Sequence, residues 1–387
     1  MIEPNPGSSS GATSRLATDL DGEQNPFIRY RERLDSYRRA TDGGLSDQWF
    51  VDTVGSLDEA VATVDGHGFT VTPVIDGAAL TAAADLAPEV VLTVKDETGN
   101  VSGSHKSRHL FGVALHLLVD EQLGEAGAAG VRPTLAIASC GNAAMAAGII
   151  AAALERELRV FVPTWADEPV VERLRQLGAT VEVCHRRDGE AGDPAYLRYR
   201  EAAAAGAQPF TVQGTDTPTT FDGGRTLGWE LAEQADSIDV IYLQVGGGAL
   251  ATAVSLGLPD ATLYPVQAEG CAPLRRAWDR LSPDFDFEDA ADHPDDYMWP
   301  WEDEPTSTAT GILDDVTYDW LPLLRRTIVT GGEPLVVPEA TIVEAHRLAN
   351  EHTSIPVSAT GTAGLAGVLH HRPAAGHIAV AFTGIDR

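Results

Sequence analysis

Along most of this chain, short apolar runs alternate with segments whose apolar residues recur every three or four positions. The switching between these two periods predicts the elements. Residues 135–138, 159–162, 180–183, 210–212, 240–245, 263–268 and 378–382 are short and apolar or β-branched, as buried strands are. Between them, 143–154, 169–177, 194–205, 223–235, 249–256, 338–351 and 361–369 read as helices, with Gly178 and Gly206 closing two of them. The segment 143–154 is apolar nearly all round, which predicts burial on several sides. Strands and helices in this alternation imply mostly parallel sheets covered on both faces, an α/β fold.

The first third is less regular. Residues 24–40 predict a basic helix opened by Asn25-Pro26, and 56–64 a second short one. Residues 70–75 and 89–94 predict strands, with a helix over 78–86 between them. Gly103 and Ser104 then make a small-residue turn before Lys106. After it Leu110, Phe111, Val113, Ala114, Leu117 and Leu118 recur at helical spacing. Lys106 therefore stands where a loop enters a helix. Helix dipole and burial both disfavour an ammonium there, so both lower its pKa. Residues 1–22 are rich in Pro, Gly, Ser and Thr and predict a mobile arm. Residues 284–304, acidic and holding Pro and Trp, break the alternation as a surface excursion would. The expected division is a larger domain from 23–133 and 213–387 and a smaller one from 134–212.

Composition sharpens the interest in that lysine. Of 27 Lys+Arg, only Lys95 and Lys106 are lysine. Arginine keeps a fixed charge and cannot act as a free amine, whereas lysine can lose its proton and attack a carbonyl. The formal net charge of −30 opposes binding to nucleic acid or an anionic membrane surface. No apolar run approaches the 18 residues of a membrane span, and the first residues lack the pattern of a secretory signal. Cys140, Cys184 and Cys271 are few, odd in number and without metal-ligand spacing, so no metal site and a reducing cytoplasm are expected.

Three small-residue turns carry candidate chemistry. Val245-Gly246-Gly247-Gly248-Ala249 joins a strand to a helix, and its N–H groups can converge on a phosphate. It is neither a dinucleotide fingerprint, because the GxGxxG spacing is absent, nor a nucleotide-triphosphate loop, because no lysine follows. Ser139-Cys140-Gly141-Asn142 opens another helix and can hold a carboxylate, with Asn142 able to donate to a ring hydroxyl. The last strand ends in Thr383-Gly384, placing a hydroxyl at the carboxyl edge of the sheet, where ligands of open α/β folds sit. A reactive amine, a phosphate loop, an amide-bearing turn and a strand-end hydroxyl are the contacts an aldehyde-bearing pyridine phosphate needs.

In this order the motifs resemble the fold-type-II, tryptophan-synthase-β-like group of pyridoxal-phosphate enzymes, which includes threonine synthase, the serine/threonine dehydratases and cysteine synthase. From Thr72-Pro73 to Gly384, TPVI is similar to the family's TPL strand, VKDE to the strand before the lysine and SGSHKSR to its GSxKxR turn. SCGNAA resembles the SxGN loop, FDGGRTLGWEL the GQxTxxxEI helix, VGGGAL the dehydratase phosphate loop and AFTG the terminal strand. The resemblance implies two αβα domains, a homodimer and pyridoxal 5'-phosphate bonded to Lys106 as its Schiff-base lysine. It implies phosphate contacts at Gly246, Gly247, Gly248, Ala249 and Leu250, Asn142 at the ring hydroxyl and Thr383 at the ring nitrogen. Ser139, Cys140 and Gly141 would face the carboxylate of an amino-acid substrate.

Two departures bear on the reaction. Ser107 replaces the aspartate common after the lysine, and Cys140 replaces the second hydroxyl of the SSGN loop, used as an acid/base in racemising relatives. A hydroxyl partner such as Thr383 leaves the ring nitrogen unprotonated, which suits β-elimination or β-replacement better than transamination. The implied activity is therefore a dehydratase or ammonia-lyase giving a keto acid and ammonia. The alternatives are a β- or γ-replacing synthase and a non-catalytic cofactor-fold binding protein. Side-chain specificity is expected from His105 and the loops 215–220 and 306–310.

Overall fold

The computed structural model describes residues 22–124, 132–190 and 192–386. Apart from Gly22, the arm expected over 1–22 lies outside the described residues. The strands are β1 (Val74–Asp76), β2 (Val90–Asp96), β3 (Leu135–Ala138), β4 (Leu158–Pro163), β5 (Thr180–Cys184), β6 (Gln208–Pro209), β7 (Val240–Gln244), β8 (Thr262–Ala268), β9 (Leu335–Val337) and β10 (Gly376–Phe382). They form a six-stranded sheet in the order β1-β2-β10-β7-β8-β9 and a four-stranded sheet in the order β5-β4-β3-β6. Every pairing is parallel except β1 against β2.

The last strand lies in the middle of the larger sheet. β10 pairs with β2 on one side, with Phe382 opposite Asp96, and with β7 on the other. That insertion brings residues 383–385 beside the turn that precedes Lys106 and beside the end of β7. Ile378, Ala379, Val380, Ala381 and Phe382 are all fully buried, as a central parallel strand requires.

Close helix crossings lock the frame around the lysine helix (Lys106–Gln122). A Cβ on Gly223, in the helix Thr220–Gln234, would lie 1.9 Å from the Arg108 carbonyl oxygen, so only glycine lets these two helices meet. The helix Asn142–Ala153 packs against the lysine helix from the smaller sheet's side and buries nine residues, Ala143 to Ala151. Its all-round apolar character follows from this two-sided burial.

Some boundaries differ from the sequence expectation for identifiable reasons. The helix expected over 24–40 is three pieces, Pro26–Arg29, a 3-10 turn Arg31–Arg33 and Asp35–Asp42. The break falls at Leu34, which is extended (φ −75°, ψ 138°) and fully buried, so core burial overrides helical spacing there. The helix expected at 56–64 runs Asp47–Asp65, capped by Ser46 accepting from the Trp49 N–H at 3.1 Å. The strand expected at 210–212 is instead Gln208–Pro209, and Phe210 enters the core. The excursion 284–304 holds the helix Phe287–Asp292, and Arg276 stacks on Trp299 at 3.9 Å to hold that segment down. Among the described residues no helix is long and apolar enough to cross a membrane.

Candidate active site

The turn before Lys106 is held at both ends. Ser102 (φ 61°) and Gly103 (φ 65°) are both left-handed, which reverses the chain within two residues. Ser102 N–H donates to Asp65 Oδ2 at 3.0 Å, and Ser107 Oγ donates to the Ser104 carbonyl at 3.0 Å. The terminal strand clamps the same turn. His105 donates to the Thr383 carbonyl from its backbone N–H at 3.0 Å, and its Nδ1 lies 3.1 Å from that oxygen. Ile385 N–H donates to the Gly103 carbonyl at 3.0 Å. A carbonyl can only accept, so His105 carries its proton on Nδ1, and its buried Nε2 is left without a partner.

Two residues from Lys106, Arg108 is fully buried and spends its donors on two carboxylates. It meets Glu97 at 2.7 and 2.9 Å and Glu230 at 2.6 and 3.0 Å. Lys95 completes the set with Glu230 Oε2 at 2.6 Å, Gln234 Oε1 at 2.7 Å and the Thr72 carbonyl at 2.7 Å. Two positive and two negative side chains cancel, which is the condition for burying any of them. Burial alone would raise the Glu97 carboxyl, but the Arg108 guanidinium outweighs it and holds the group below the usual range.

Lys106 is the opposite case. It is half-buried and has no hydrogen bond or ion pair among the described residues. Burial pulls its pKa below the usual lysine value, and the charges of Asp314 and Asp319 only partly restore it. Those carboxylates stand at the glycine loop. Asp319 N–H donates to the Gly247 carbonyl at 2.8 Å, and its carboxylate accepts the Gly214 N–H at 3.2 Å. A Cβ on Gly246 would lie 2.4 Å from Asp314 Oδ2, and one on Gly248 (φ 101°) would lie 3.2 Å from Asp319 Cβ. Burial pushes Asp314 up to about 6 and Asp319 to about 7, against the opposing charge of Lys106.

The other expected residues gather at the same place. The loop 246–248 follows β7 and opens the helix Ala249–Gly257, which has no side-chain cap. The N–H groups of Gly246, Gly248, Ala249 and Leu250 have no acceptor among the described residues. Ser139, Cys140 and Gly141 follow β3 at the carboxyl edge of the smaller sheet, half-buried, with Asn142 at the start of the next helix. Asn142 Nδ2 lies 2.9 Å from where a Gly384 Cβ would be, so this turn meets the terminal strand. Cys140 remains a thiol, because burial and the charges of Asp167, Asp193 and Asp314 push it up to about 11. His105 and His109 are held neutral by burial beside Lys106, His109 down to about 3.

Of the specificity loops, 215–220 borders the site through Gly214 and through the Thr220 carbonyl, which lies 2.9 Å from His109 Nδ1. The loop 306–310 is held to the start of the helix Glu339–His352. Ser307 and Thr308 are tied to Glu339 at 2.6 and 2.8 Å, and it is Asp314, beyond them, that reaches the glycines. Asp314, Tyr318, Asp319 and Gln244 were not singled out by sequence. A separate cleft of about 380 Å³, lined by Asp65, Asn100, Ser102, Met145 and Arg173 among others, contains neither Lys106 nor the glycine loop.

An unpaired amine with a lowered pKa facing an anion cradle, at the carboxyl ends of the sheets, defines an enzyme built around an aldehyde cofactor. The chain belongs to the pyridoxal-phosphate dependent enzyme family, whose pattern its residues 67–384 match. It is 25% identical over 293 residues to the L-threonine ammonia-lyase of Thermotoga maritima, covering 72% of this chain and 62% of that protein. It is 29% identical over 200 residues to the phenylserine dehydratase of Ralstonia pickettii, covering 51% and 57%. The matched stretches thus span about three-fifths of these curated relatives. Maize serine racemase superposes with a TM-score of 0.64 at 20% identity, over 86% of this chain and 92% of that one. The L-serine ammonia-lyase of Rhizomucor miehei gives 0.61 at 18% identity, over 82% and 94%. These two likenesses show the fold.

The residues present fit the cofactor. Lys106 has an amine with no partner, the loop 246–250 offers free N–H groups where a Cβ would intrude, and the Thr383 hydroxyl proton has no acceptor among the described residues. One feature competes. The Asp314 carboxylate already lies against the cradle, so a bound phosphate and an ionised Asp314 would repel.

Proposed function

We propose that the chain is a lyase acting on an amino acid with a β-hydroxyl, removing the α-proton, expelling the β-substituent and releasing a keto acid and ammonia. The observation that carries this reading is the unpaired, charge-disfavoured amine of Lys106 facing the carboxylates at the glycine loop. The names of the T. maritima and R. pickettii relatives support it.

Bound pyridoxal phosphate would supply an aldehyde and a conjugated ring that stabilises charge developing at the α-carbon. Lys106 would hold that aldehyde through its ε-amine and would take the α-proton of the substrate. Gly246, Gly247, Gly248, Ala249 and Leu250 would hold the phosphate, Asn142 the ring hydroxyl and Thr383 the ring nitrogen. Ser139, Cys140 and Gly141 would orient the substrate carboxylate. Asp314, which keeps a proton until about pH 6, can give one to a departing hydroxyl. In this reading the body 134–212 closes over the substrate, the remainder carries the cofactor, and the enzyme works as a cytoplasmic homodimer.

The acidic lining favours a second substrate. Asp193 and Asp315 act on the Asp314 carboxyl, Asp193 acts on Asp315, and all three act on Tyr318 beside the loop. Where ionised, that field also suits a β-ammonium. Assay of the loaded protein with serine, threonine and 2,3-diaminopropionate separates the two. Keto-acid release from none of them, with product only when a second nucleophile is added, would sink the lyase reading in favour of replacement.

A further inference from the structure

β7 ends on Gln244, a buried amide that the reaction described above does not use. Its nitrogen faces three oxygens. Gln244 Nε2 donates to the Gly361 carbonyl at 3.0 Å, to the Ala381 carbonyl at 3.2 Å and to Thr383 Oγ1 at 2.7 Å. The orientation of this amide follows from its surroundings. Turned over, its oxygen would face two carbonyl oxygens that can only accept, so the nitrogen must take this side.

The consequence falls on Thr383. A hydroxyl has one proton and two lone pairs. With the Gln244 N–H aimed at its oxygen, Thr383 is an acceptor towards β7, and its proton must point elsewhere. Among the described residues nothing accepts that proton. The backbone of Thr383 is equally fixed, because its carbonyl takes the His105 N–H at 3.0 Å, one residue before Lys106. Backbone and side chain are thus held from two sides, and the free donor is registered to the lysine turn.

We infer that Gln244 is a positioning residue that makes Thr383 an obligate donor to the bound ring nitrogen and so keeps that nitrogen unprotonated. This rests on the proposed function, in which Thr383 meets the ring. A donor partner and a ring proton cannot occupy the same contact. The amide at the end of β7 therefore sets the electronic character of a cofactor it does not touch. An unprotonated ring withdraws electrons less, which favours prompt loss of the β-substituent over lingering charge at the α-carbon.

The test reads the nitrogen itself. Wild type, Gln244→Met and Thr383→Val are loaded with pyridoxal phosphate carrying a 15N ring nitrogen, and its chemical shift is followed by NMR from pH 6 to 8. Wild type is expected in the unprotonated range throughout. In Gln244→Met the hydroxyl loses the N–H that fixes it as an acceptor towards β7, so it is free to turn a lone pair to the ring and the shift moves towards the protonated range. A merely structural Gln244 would lower the melting midpoint and leave the nitrogen shift unchanged, and that result overturns the inference, as does a protonated ring in wild type. Should Gln244→Met not fold, the wild-type apoprotein decides by its affinity for the 1-deaza analogue. A locked donor facing carbon is left unpaired, so about tenfold weaker binding than pyridoxal phosphate is expected. Equal binding overturns the inference. Failure of wild type to take up any cofactor is distinct from both outcomes and removes the proposed function first.

Discussion

The chain has two lysines, and the structure gives them opposite surroundings. Lys95 is fully buried and fills its three donors with Glu230, Gln234 and the Thr72 carbonyl, inside a charge-neutral cluster with Arg108 and Glu97. Lys106, eleven residues on, has none of these partners and faces carboxyls that are themselves held above their ordinary range. Desolvation opposes the charge of both. The difference is compensation. A buried charge that is fully paired holds elements together, whereas one left unpaired is costly unless a ligand completes it.

The sharpest way to break this comparison is to remove each amine. Lys106→Ala should abolish the visible absorption band of lysine-bound cofactor and lower keto-acid release by at least ~10²–10⁴-fold, the range for loss of a general base. Its melting midpoint should hold or rise, because an uncompensated desolvated group is gone. In the paired cluster the result should invert. Arg108→Met leaves Glu97 and Glu230 short of their counter-charge and should cost roughly 3–5 kcal/mol in denaturant unfolding. Any folded fraction should retain the cofactor band. Equal loss of stability from both substitutions would erase the distinction.

A pH series probes the unpaired side. In the folded chain Asp314 ionises at about 6 and Asp319 at about 7, above the ordinary carboxyl value near 4. Between these values the two carboxyls bind more protons in the folded chain than in the unfolded one, so their contribution to the stability of the cofactor-free protein should fall as pH rises from about 4 to about 7, against the opposite contribution of the buried neutral His105 and His109. Affinity for pyridoxal phosphate should fall over the upper part of that interval by about tenfold or more, the scale of one charge–charge contact near a protein surface. Asp314→Asn should remove the Asp314 share of the stability change in calorimetry and flatten the affinity curve in titration. The smallest effect is expected at Cys140. Its thiol stays protonated up to about 11, and Cys140→Ala keeps the backbone N–H that would face the substrate carboxylate, so keto-acid release should change by less than about twofold and alkylation at neutral pH should be slow.

The sequence made one half of this comparison visible. A lone lysine at a loop-to-helix junction, a triple glycine after a strand and a hydroxyl at the last strand's end are local patterns, and each sits at the carboxyl end of a sheet. The carboxyls were hidden for a physical reason. In a chain with 57 Asp+Glu, a buried Asp314 or Asp319 looks like any solvated acid, and only tertiary packing desolvates it. Lys95 shows the converse. Its rarity marked it equally for chemistry, yet Glu230 and Gln234 come from a distant helix to pair it. The helices Pro273–Leu281 and Trp320–Val329 and the three-residue β9 went unread, although both helices are strongly amphipathic.

The scarcity of lysine has a practical side. Aldehydes decorate most proteins indiscriminately, by condensing with whichever primary amines line the exterior. Here one of the two ε-amines is sealed in the interior and the other is half-buried beside the carboxylates at the cradle. Stray vitamin aldehyde thus finds almost nothing on the outside to modify, and borohydride fixation followed by intact mass should register a single adduct per chain.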